Sequence, residues 1–419
     1  MKARGTIRVP GDKSISHRAL ILGALAPSDC RIRGILESDD VRSTATVLRA
    51  LGAVVPTLSD DVVVRGHGLS GLTRSHSPLQ CGNSGTTARL MAGVAAASPF
   101  ISRFEGDSSL SRRPMARVAE PLSAMGAKFE FDRGDGLPMT VHGGRLSGIA
   151  WDTRAASAQT KSAILLAALV GGVHVSVRES RRSRDHTERL LRHLGVPVTS
   201  TDIRIQLSPV ESLDAFDVTI PGDPSSAAYL LAYASLARVV VALPGVCVNP
   251  TRMGFIEALR RMGADIRYED AAANAGEDVA TIVSRPARLG GIRIGEAEVP
   301  SLIDELPLLA CVAAAARVEV EVSGAAELRV KESDRIAAVV SNLRSVGADA
   351  VEMPDGFRVS VSSSRTLSGR IATRGDHRVA MAFGVLGALP GNEIEIDDRD
   401  CVSVSYPGFW EDLDSLRKN

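Results

Sequence analysis

Aromatic side chains are scarce in this 419-residue sequence: two Trp, four Tyr and nine Phe make up 4% of it. Such a chain has too few flat faces for a base-stacking platform. Excess charge is missing too. Lys plus Arg number 49 and Asp plus Glu number 49, without the basic surplus of a general nucleic-acid or membrane-surface binder. The five cysteines, Cys30, Cys81, Cys247, Cys311 and Cys401, are odd in number, scattered and never spaced as CxxC. Neither a disulfide framework nor a zinc site is expected, and a reducing cytosol fits. No dinucleotide fingerprint or metal-ligand cluster is visible, so no cofactor and no metal are expected. Met1-Lys2-Ala3-Arg4-Gly5-Thr6 lacks the apolar core of a signal peptide, which predicts a cytoplasmic protein. The longest apolar stretch, residues 227–248, is interrupted by Arg238 and Pro244. It reads as a buried helix plus a strand, not a membrane span.

What remains is globular: 44% hydrophobic and 23% charged, long enough for two or three domains. One pattern recurs, a polar turn followed by about a dozen small apolar residues. It appears as Gly11-Asp12-Lys13-Ser14, Gly82-Asn83-Ser84-Gly85, Ser157-Ala158-Gln159, Gly222-Asp223-Pro224-Ser225, Ser301-Leu302-Ile303-Asp304-Glu305 and Gly375-Asp376-His377-Arg378. The steps between starts are about 71, 75, 65, 79 and 74 residues, unlike the shorter solenoid repeats. A second marker runs in phase: helices close with Leu51-Gly52-Ala53, Met125-Gly126-Ala127, Leu194-Gly195-Val196, Met262-Gly263-Ala264 and Val346-Gly347-Ala348. Glycine past a helix end takes the left-handed conformation other residues resist. Each repeat therefore reads as strand, apolar helix, strand, amphipathic helix, strand. The expected fold is α/β, with two similar lobes, each of three repeats with buried parallel helices and outer sheets. One lobe would hold residues 1–12 and 224–419 and the other residues 13–223, the chain crossing near Asp12 and Asp223, with the active site in the cleft between them.

Helix N-termini expose N–H groups and carry positive potential, so six gathered in one cleft would form an anion site. Taken singly, each Gly-Asp or Gly-Asn turn is equally an ordinary N-cap. The charges beside the turns go further. Lys13, Ser14 and Arg18 open the first buried helix, suiting a phosphate or carboxylate. Arg112-Arg113-Pro114 follows a Gly/Ser loop and reads as a mobile anion clamp. Lys331 and Arg335, four apart, would share a helix face beside Glu332; a solvated, salt-bridged face is the alternative. Asp304-Glu305 lies in an apolar run, where acids are costly unless paired or functional. Asp304 is either a general base or an N-cap. Arg184, in Ser180-Arg181-Arg182-Ser183-Arg184, and Arg378 complete the cations. So many cations at the turns of a neutral protein point to small, highly anionic substrates.

In this order Gly11-Asp12-Lys13-Ser14-Ile15-Ser16-His17-Arg18, Gly82-Asn83-Ser84-Gly85-Thr86-Thr87, Arg113-Pro114-Met115, Arg329-Val330-Lys331-Glu332-Ser333-Asp334-Arg335 and Asp376-His377-Arg378 closely resemble the motifs of the 5-enolpyruvylshikimate-3-phosphate synthase family, over nearly the whole chain. The resemblance implies a sixfold two-lobe fold, an inside-out α/β barrel. It implies enolpyruvyl transfer from phosphoenolpyruvate to shikimate 3-phosphate, with phosphate released, on the route to aromatic amino acids. It assigns Lys13, Ser14, Arg18, Ser157, Ala158, Gln159, Arg184, Asp304 and Lys331 to shikimate 3-phosphate. Lys13, Asn83, Gly85, Arg113, Gln159, Arg335 and Arg378 go to phosphoenolpyruvate. Asp304 would take the proton of the 5-hydroxyl, Glu332 would move the proton at the methylene carbon, and Lys13 would touch both substrates. A Lys that some relatives carry near the C-terminus is replaced by Val404, and His17 stands where Asn is common. Partners would be these small molecules alone, with neither nucleic acid nor membrane, and the chain would be a monomer. Two rivals remain. One is the related enolpyruvyl transferase acting on UDP-N-acetylglucosamine, many members of which carry a Cys that residues 106–115 lack. The other is an anion-binding protein without catalysis.

Overall fold

The computed structural model describes residues 5–154, 156–361 and 366–418; the first four residues of the leader argument lie outside them. The chain divides into two compact units. Gly11–Ile220 and Ala273–Glu277 form one (the 11–220 unit), and the chain up to Pro10, Pro221–Ala272 and Asp278 onward form the other (the 221–419 unit). In the 11–220 unit the helices are α1 (Lys13–Leu25), α2 (Asp39–Ala50), α3 (Gly85–Ala97), α4 (Ala116–Met125), α5 (Ala158–Gly171) and α6 (His186–His193). The 221–419 unit continues with α7 (Pro224–Ala237), α8 (Gly254–Arg261), α9 (Leu306–Ala316), α10 (Arg335–Ser345), α11 (His377–Ala388) and α12 (Phe409–Arg417).

Odd-numbered helices are apolar over most of their length and are buried accordingly; every residue of α5 from Thr160 to Leu169 is buried. Even-numbered helices have one apolar face. In α8, Phe255, Ile256, Ala258 and Leu259 are buried while Glu257 and Arg261 face solvent. Five of the six apolar helices begin with a side-chain cap, from Asp12, Ser84, Ser157, Asp223 and Asp376, so these turns are N-caps. The degenerate fifth repeat has no side-chain cap on α9. The glycines after α2, α4, α6, α8 and α10 all have φ between 79° and 120°, where a Cβ is disfavoured. Gly93 is needed for another reason: a Cβ there would stand 2.3 Å from the Ala163 carbonyl oxygen, so α3 and α5 pack backbone to backbone.

Two features depart from the expected repeat. Most repeats end in an antiparallel hairpin rather than a single strand, as with Lys128–Phe131 on Met139–His142 and Ala350–Met353 on Gly356–Val359. Gly/Asp-containing turns, Arg133-Gly134-Asp135-Gly136 and Pro354-Asp355-Gly356, reverse the chain there. Among the described residues the sixth repeat has only the parallel pair Ser368–Ile371 and Glu393–Ile396, then a 3-10 turn at Asp400–Val404 and α12. In addition, two lead strands are exchanged. Gly5–Thr6 precedes α1 but pairs in parallel with Val241–Cys247 of the 221–419 unit. Asp217–Thr219 precedes α7 but pairs in parallel with Asp29–Arg33 of the 11–220 unit.

The few aromatics are unevenly used. Phe409 meets Tyr229 and Tyr406 edge-on at 5.7 Å and Trp410 at 4.8 Å, all in the 221–419 unit. Each such pair adds about 0.5–1.5 kcal/mol beyond burial. In the 11–220 unit Phe104 is the one buried aromatic among the described residues, and the rest of the core is aliphatic or sulfur-containing.

Candidate active site

In the 11–220 unit the cations gather where α1, α3 and α5 begin. Lys13 is the first residue of α1, and its Nζ lies 2.9 Å from Asp40 Oδ2 on α2. Arg18, one turn on, is 4% exposed. It donates from Nε to Thr187 Oγ1 (2.6 Å), from Nη1 to the Ser14 carbonyl (2.8 Å) and from Nη2 to Ser162 Oγ (2.7 Å). Burial dominates its ionisation and, against Glu188 and Asp12 and with Arg184 adding to the effect, lowers its pKa to about 10. Arg18 thus stays charged at neutral pH while bonded to neutral oxygens. His17 Nδ1 lies 2.7 Å from Thr44 Oγ1; burial, then Lys13 and Arg18, hold its pKa well below the usual value.

Ser157 caps α5, accepting from the Thr160 N–H, and Ala158 is the first residue of that helix. Gln159 Oε1 accepts from Arg89 Nη1 (2.7 Å), and its Nε2 donates to Thr86 Oγ1 (3.0 Å). Arg89 also donates to the Pro114 carbonyl (3.1 Å), tying α3, α5 and the Arg113 loop together. Arg113 is 7% exposed and donates to Asn83 Oδ1 (2.6 Å) and Ser109 Oγ (3.1 Å). Arg113, expected in an anion clamp, is thus hydrogen-bonded to Asn83 of the turn before α3 and to Ser109 of its own loop. Gly85 opens α3, and a Cβ there would lie 2.9 Å from Arg89 Nη1 and 3.5 Å from Arg113 Nη1. Arg89 belongs to none of the turn motifs. Its signal was a lone cation within an apolar helix, which is tolerated only when paired.

In the 221–419 unit the cations sit among carboxylates. Arg335 begins α10 with its side chain 2% exposed. Nε donates to Asp376 Oδ2 (2.9 Å), and Nη2 donates to Asp376 Oδ1 (3.2 Å) and Glu332 Oε2 (2.6 Å). Nη1 lies 3.4 Å from Asp304 Oδ1. Burial alone would lower its pKa, but Asp376, Glu332 and Asp304 raise it above the usual arginine value. Asp304 lies in a 3-10 turn, Ile303–Glu305, and the position capping α9 is Glu305, so the N-cap alternative for Asp304 fails. Arg378, second in α11 and 5% exposed, has its pKa held high against burial by Tyr229, Asp304, Glu305 and Asp223. Arg252 and Ser225 complete this network: Arg252 Nη2 donates to Asp223 Oδ1 (3.0 Å) and Ser225 Oγ (2.8 Å), and Ser225 donates to Glu305. Nothing in the local sequence around Arg252 marked it.

Lys331 and Arg335 do not share a helix face. Asp334 Oδ1 accepts from the Ala337 N–H (3.0 Å) and starts α10 at Arg335. Lys331 is left extended beyond the 3-10 turn Ala326–Val330, with Nζ 3.9 Å from Glu327. The salt-bridged-surface reading fits Arg329, which bonds Asp334 and Glu352. Among the described residues no group of His, Cys, Asp and Glu is placed to hold a metal ion, and no helix is long and apolar enough to cross a membrane.

Buried arginines near helix starts, bonded to neutral oxygens in one unit and to carboxylates in the other, define an α/β protein whose helix starts suit small anions. The EPSP synthase (3-phosphoshikimate 1-carboxyvinyltransferase) family model matches residues 1–413. The 3-phosphoshikimate 1-carboxyvinyltransferase of Syntrophomonas wolfei is 43% identical over 421 aligned positions, covering 99% of this chain and 97% of the relative. The structure of EPSP synthase from Acinetobacter baumannii superposes with a TM-score of 0.85 at 38% identity, covering 98% of this chain and 95% of that one. The enolpyruvyl transferase NikO from Streptomyces tendae shares the fold, with a TM-score of 0.75 at 17% identity over 99% of this chain and 95% of that one. The chain belongs to the EPSP synthase family.

Proposed function

We propose that this chain transfers the enolpyruvyl group of phosphoenolpyruvate to the 5-hydroxyl of shikimate 3-phosphate and releases phosphate. One observation supports this above the rest: the family's motif residues fall at or beside helix starts, Lys13 and Ser14 on α1, Gly85 on α3, Ala158 and Gln159 on α5, Arg335 on α10 and Arg378 on α11. Helix N-termini favour anions. Both units serve the same substrate pair, each as one lobe of three repeats with buried parallel helices and outer sheets, an inside-out barrel.

The shikimate phosphate takes Lys13, Ser14, Arg18 and Arg184, with Ser157, Ala158, Gln159, Asp304 and Lys331 along the rest of that substrate. Phosphoenolpyruvate takes Lys13, Asn83, Gly85, Arg113, Gln159, Arg335 and Arg378. In the addition step the 5-hydroxyl oxygen bonds to C2, its proton passes to Asp304, and C3 takes a proton from Glu332. In the elimination step the C2–O bond to phosphate breaks, the departing phosphate takes the proton held by Asp304, and C3 returns its proton to Glu332. Arg335, bonded to both Asp304 and Glu332, holds the two acids in reach of one another. The cations offset charge moving to the departing phosphate. The chain acts as a cytoplasmic monomer, needing no cofactor or second subunit, which light scattering of the working enzyme tests.

A coupled phosphate-release assay with phosphoenolpyruvate and either shikimate 3-phosphate or UDP-N-acetylglucosamine tests the function. Release dependent on shikimate 3-phosphate is expected. Turnover of the nucleotide sugar alone would overturn the assignment.

A further inference from the structure

α5 carries a charged residue into its interior face. The Lys161 side chain is 1% exposed, as are those of Glu179 and Glu188, and its Nζ lies 2.7 Å from Glu179 Oε2 and 2.7 Å from Glu188 Oε1. Three buried charges are a poor way to gain stability, since apolar groups of the same shape do as well or better. Residues 163–169 of the same helix are entirely apolar and buried.

What the trio touches explains its presence. Glu179 follows the strand Val175–Arg178, and its carboxylate accepts from the Ser183 N–H (3.4 Å) and from Ser183 Oγ. It thereby closes the loop that delivers Arg184. Ser180 N donates to Thr153 Oγ1 (3.3 Å), holding the start of that loop. Glu188 stands in the first turn of α6 next to Thr187, whose Oγ1 receives Arg18 Nε and lies 2.6 Å from Ser162 Oγ. Two adjacent pairs, Lys161 with Glu188 and Ser162 with Thr187, therefore join α5 to α6 directly behind Arg18. Arg184 is close enough for its charge to act on Arg18. Burial works against the ammonium of Lys161, but Glu188 and Glu179 outweigh it and keep its pKa above the usual lysine value.

We propose that Lys161 is a positioning residue for phosphate recognition: through Glu179 and Ser183 it fixes Arg184, and through Glu188 it fixes the α6 turn that holds Arg18. This rests on the function proposed above. The ammonium sets the two carboxylates, the carboxylates set the loop and the helix, and these present two arginines to one phosphate. Lys161 itself touches no substrate.

Ser183→Ala tests it with the trio's charges left paired. Steady-state kinetics should show the KM for shikimate 3-phosphate raised about tenfold. The KM for phosphoenolpyruvate and kcat should change by less than about twofold. On an Arg184→Ala background the same substitution should add less than about twofold, because both act through one group. The combined variant Lys161→Met, Glu179→Gln, Glu188→Gln should reproduce the selective KM effect while unfolding cooperatively; if it fails to fold, Ser183→Ala decides alone. An unchanged KM in Ser183→Ala, or an equal factor with and without Arg184, overturns the positioning role. If wild-type enzyme shows no turnover of shikimate 3-phosphate, the substrate assignment falls and takes this proposal with it.

Discussion

Arg18 and Arg335 are both almost sealed from water, yet their surroundings differ. Arg18 is bonded to two hydroxyls and a carbonyl, and burial pulls its pKa down to about 10. Arg335 is bonded to three carboxylates, which push its pKa up. A cation among neutral partners keeps most of its charge for an incoming anion. A cation already matched by carboxylates serves mainly to hold those carboxylates in place. The cluster of the 11–220 unit thus leaves its cation among neutral groups, whereas that of the 221–419 unit matches its cation with carboxylates.

The largest expected effect falls on the carboxylates of the second cluster. Asp304→Asn and Glu332→Gln should each lower kcat about 10²–10⁴-fold, with the KM for shikimate 3-phosphate within a few-fold, measured by phosphate release. Unchanged kcat in both would reduce these acids to partners of Arg335. Next comes the exchange of the two arginines. Arg335→Gln strands Asp376 without its cation and should cost about 3–5 kcal/mol of stability in denaturant titration. Arg18→Gln leaves no bonded carboxylate behind, so its cost should appear mainly as a rise of about 100-fold in the KM for shikimate 3-phosphate. Equal destabilisation by both would erase the distinction between them. A smaller effect is expected from Gly85→Ala. The new Cβ meets the flexible end of Arg89 at 2.9 Å, so the fold should tolerate it, while displaced guanidinium groups raise the KM for phosphoenolpyruvate roughly tenfold.

The smallest is an acid sensitivity built into the first cluster. His17 has a folded pKa well below its ordinary value of 6.5, through burial and then Lys13 and Arg18. Below that pH the unfolded chain binds a proton that the folded chain refuses. The contribution of His17 is therefore complete above pH 6.5 and declines as pH falls, by at most about 1.4 kcal/mol per pH unit. His17→Asn should flatten the loss of stability between neutral pH and about pH 5 in denaturant melts at matched ionic strength.

Much of this arrangement could be read locally. Apolar runs of α1, α3, α5, α7, α9 and α11 announce burial because no polar face is left to wet. The glycines after α2, α4, α6, α8 and α10 announce stops because their backbone requires positive φ. The basic residues beside the turns were visible for the same reason: charges in or near apolar runs need a purpose. Arg89 and Lys161 obey the same rule, each being a lone cation in an apolar helix, but their partners are distant in sequence. Gln159 and Pro114 receive Arg89, and Glu179 and Glu188 receive Lys161. Spacing misled at Lys331 and Arg335, because an Asp at 334 that caps a helix also ends the segment before it.

The amino-acid order alone determined which segments become helices, where they stop and which ones must be buried, since these depend on side-chain polarity and backbone freedom within a few residues. It also fixed the inventory of cations and acids. Tertiary structure decided the partners: Arg18 with Thr187, Arg335 with Asp376, Lys161 with two glutamates, and strand Gly5–Thr6 with Val241–Cys247 rather than with its own neighbour. Those choices depend on burial and on distances spanned only after the chain has folded, and they set which charges are matched by a bonded carboxylate and which stay among neutral groups.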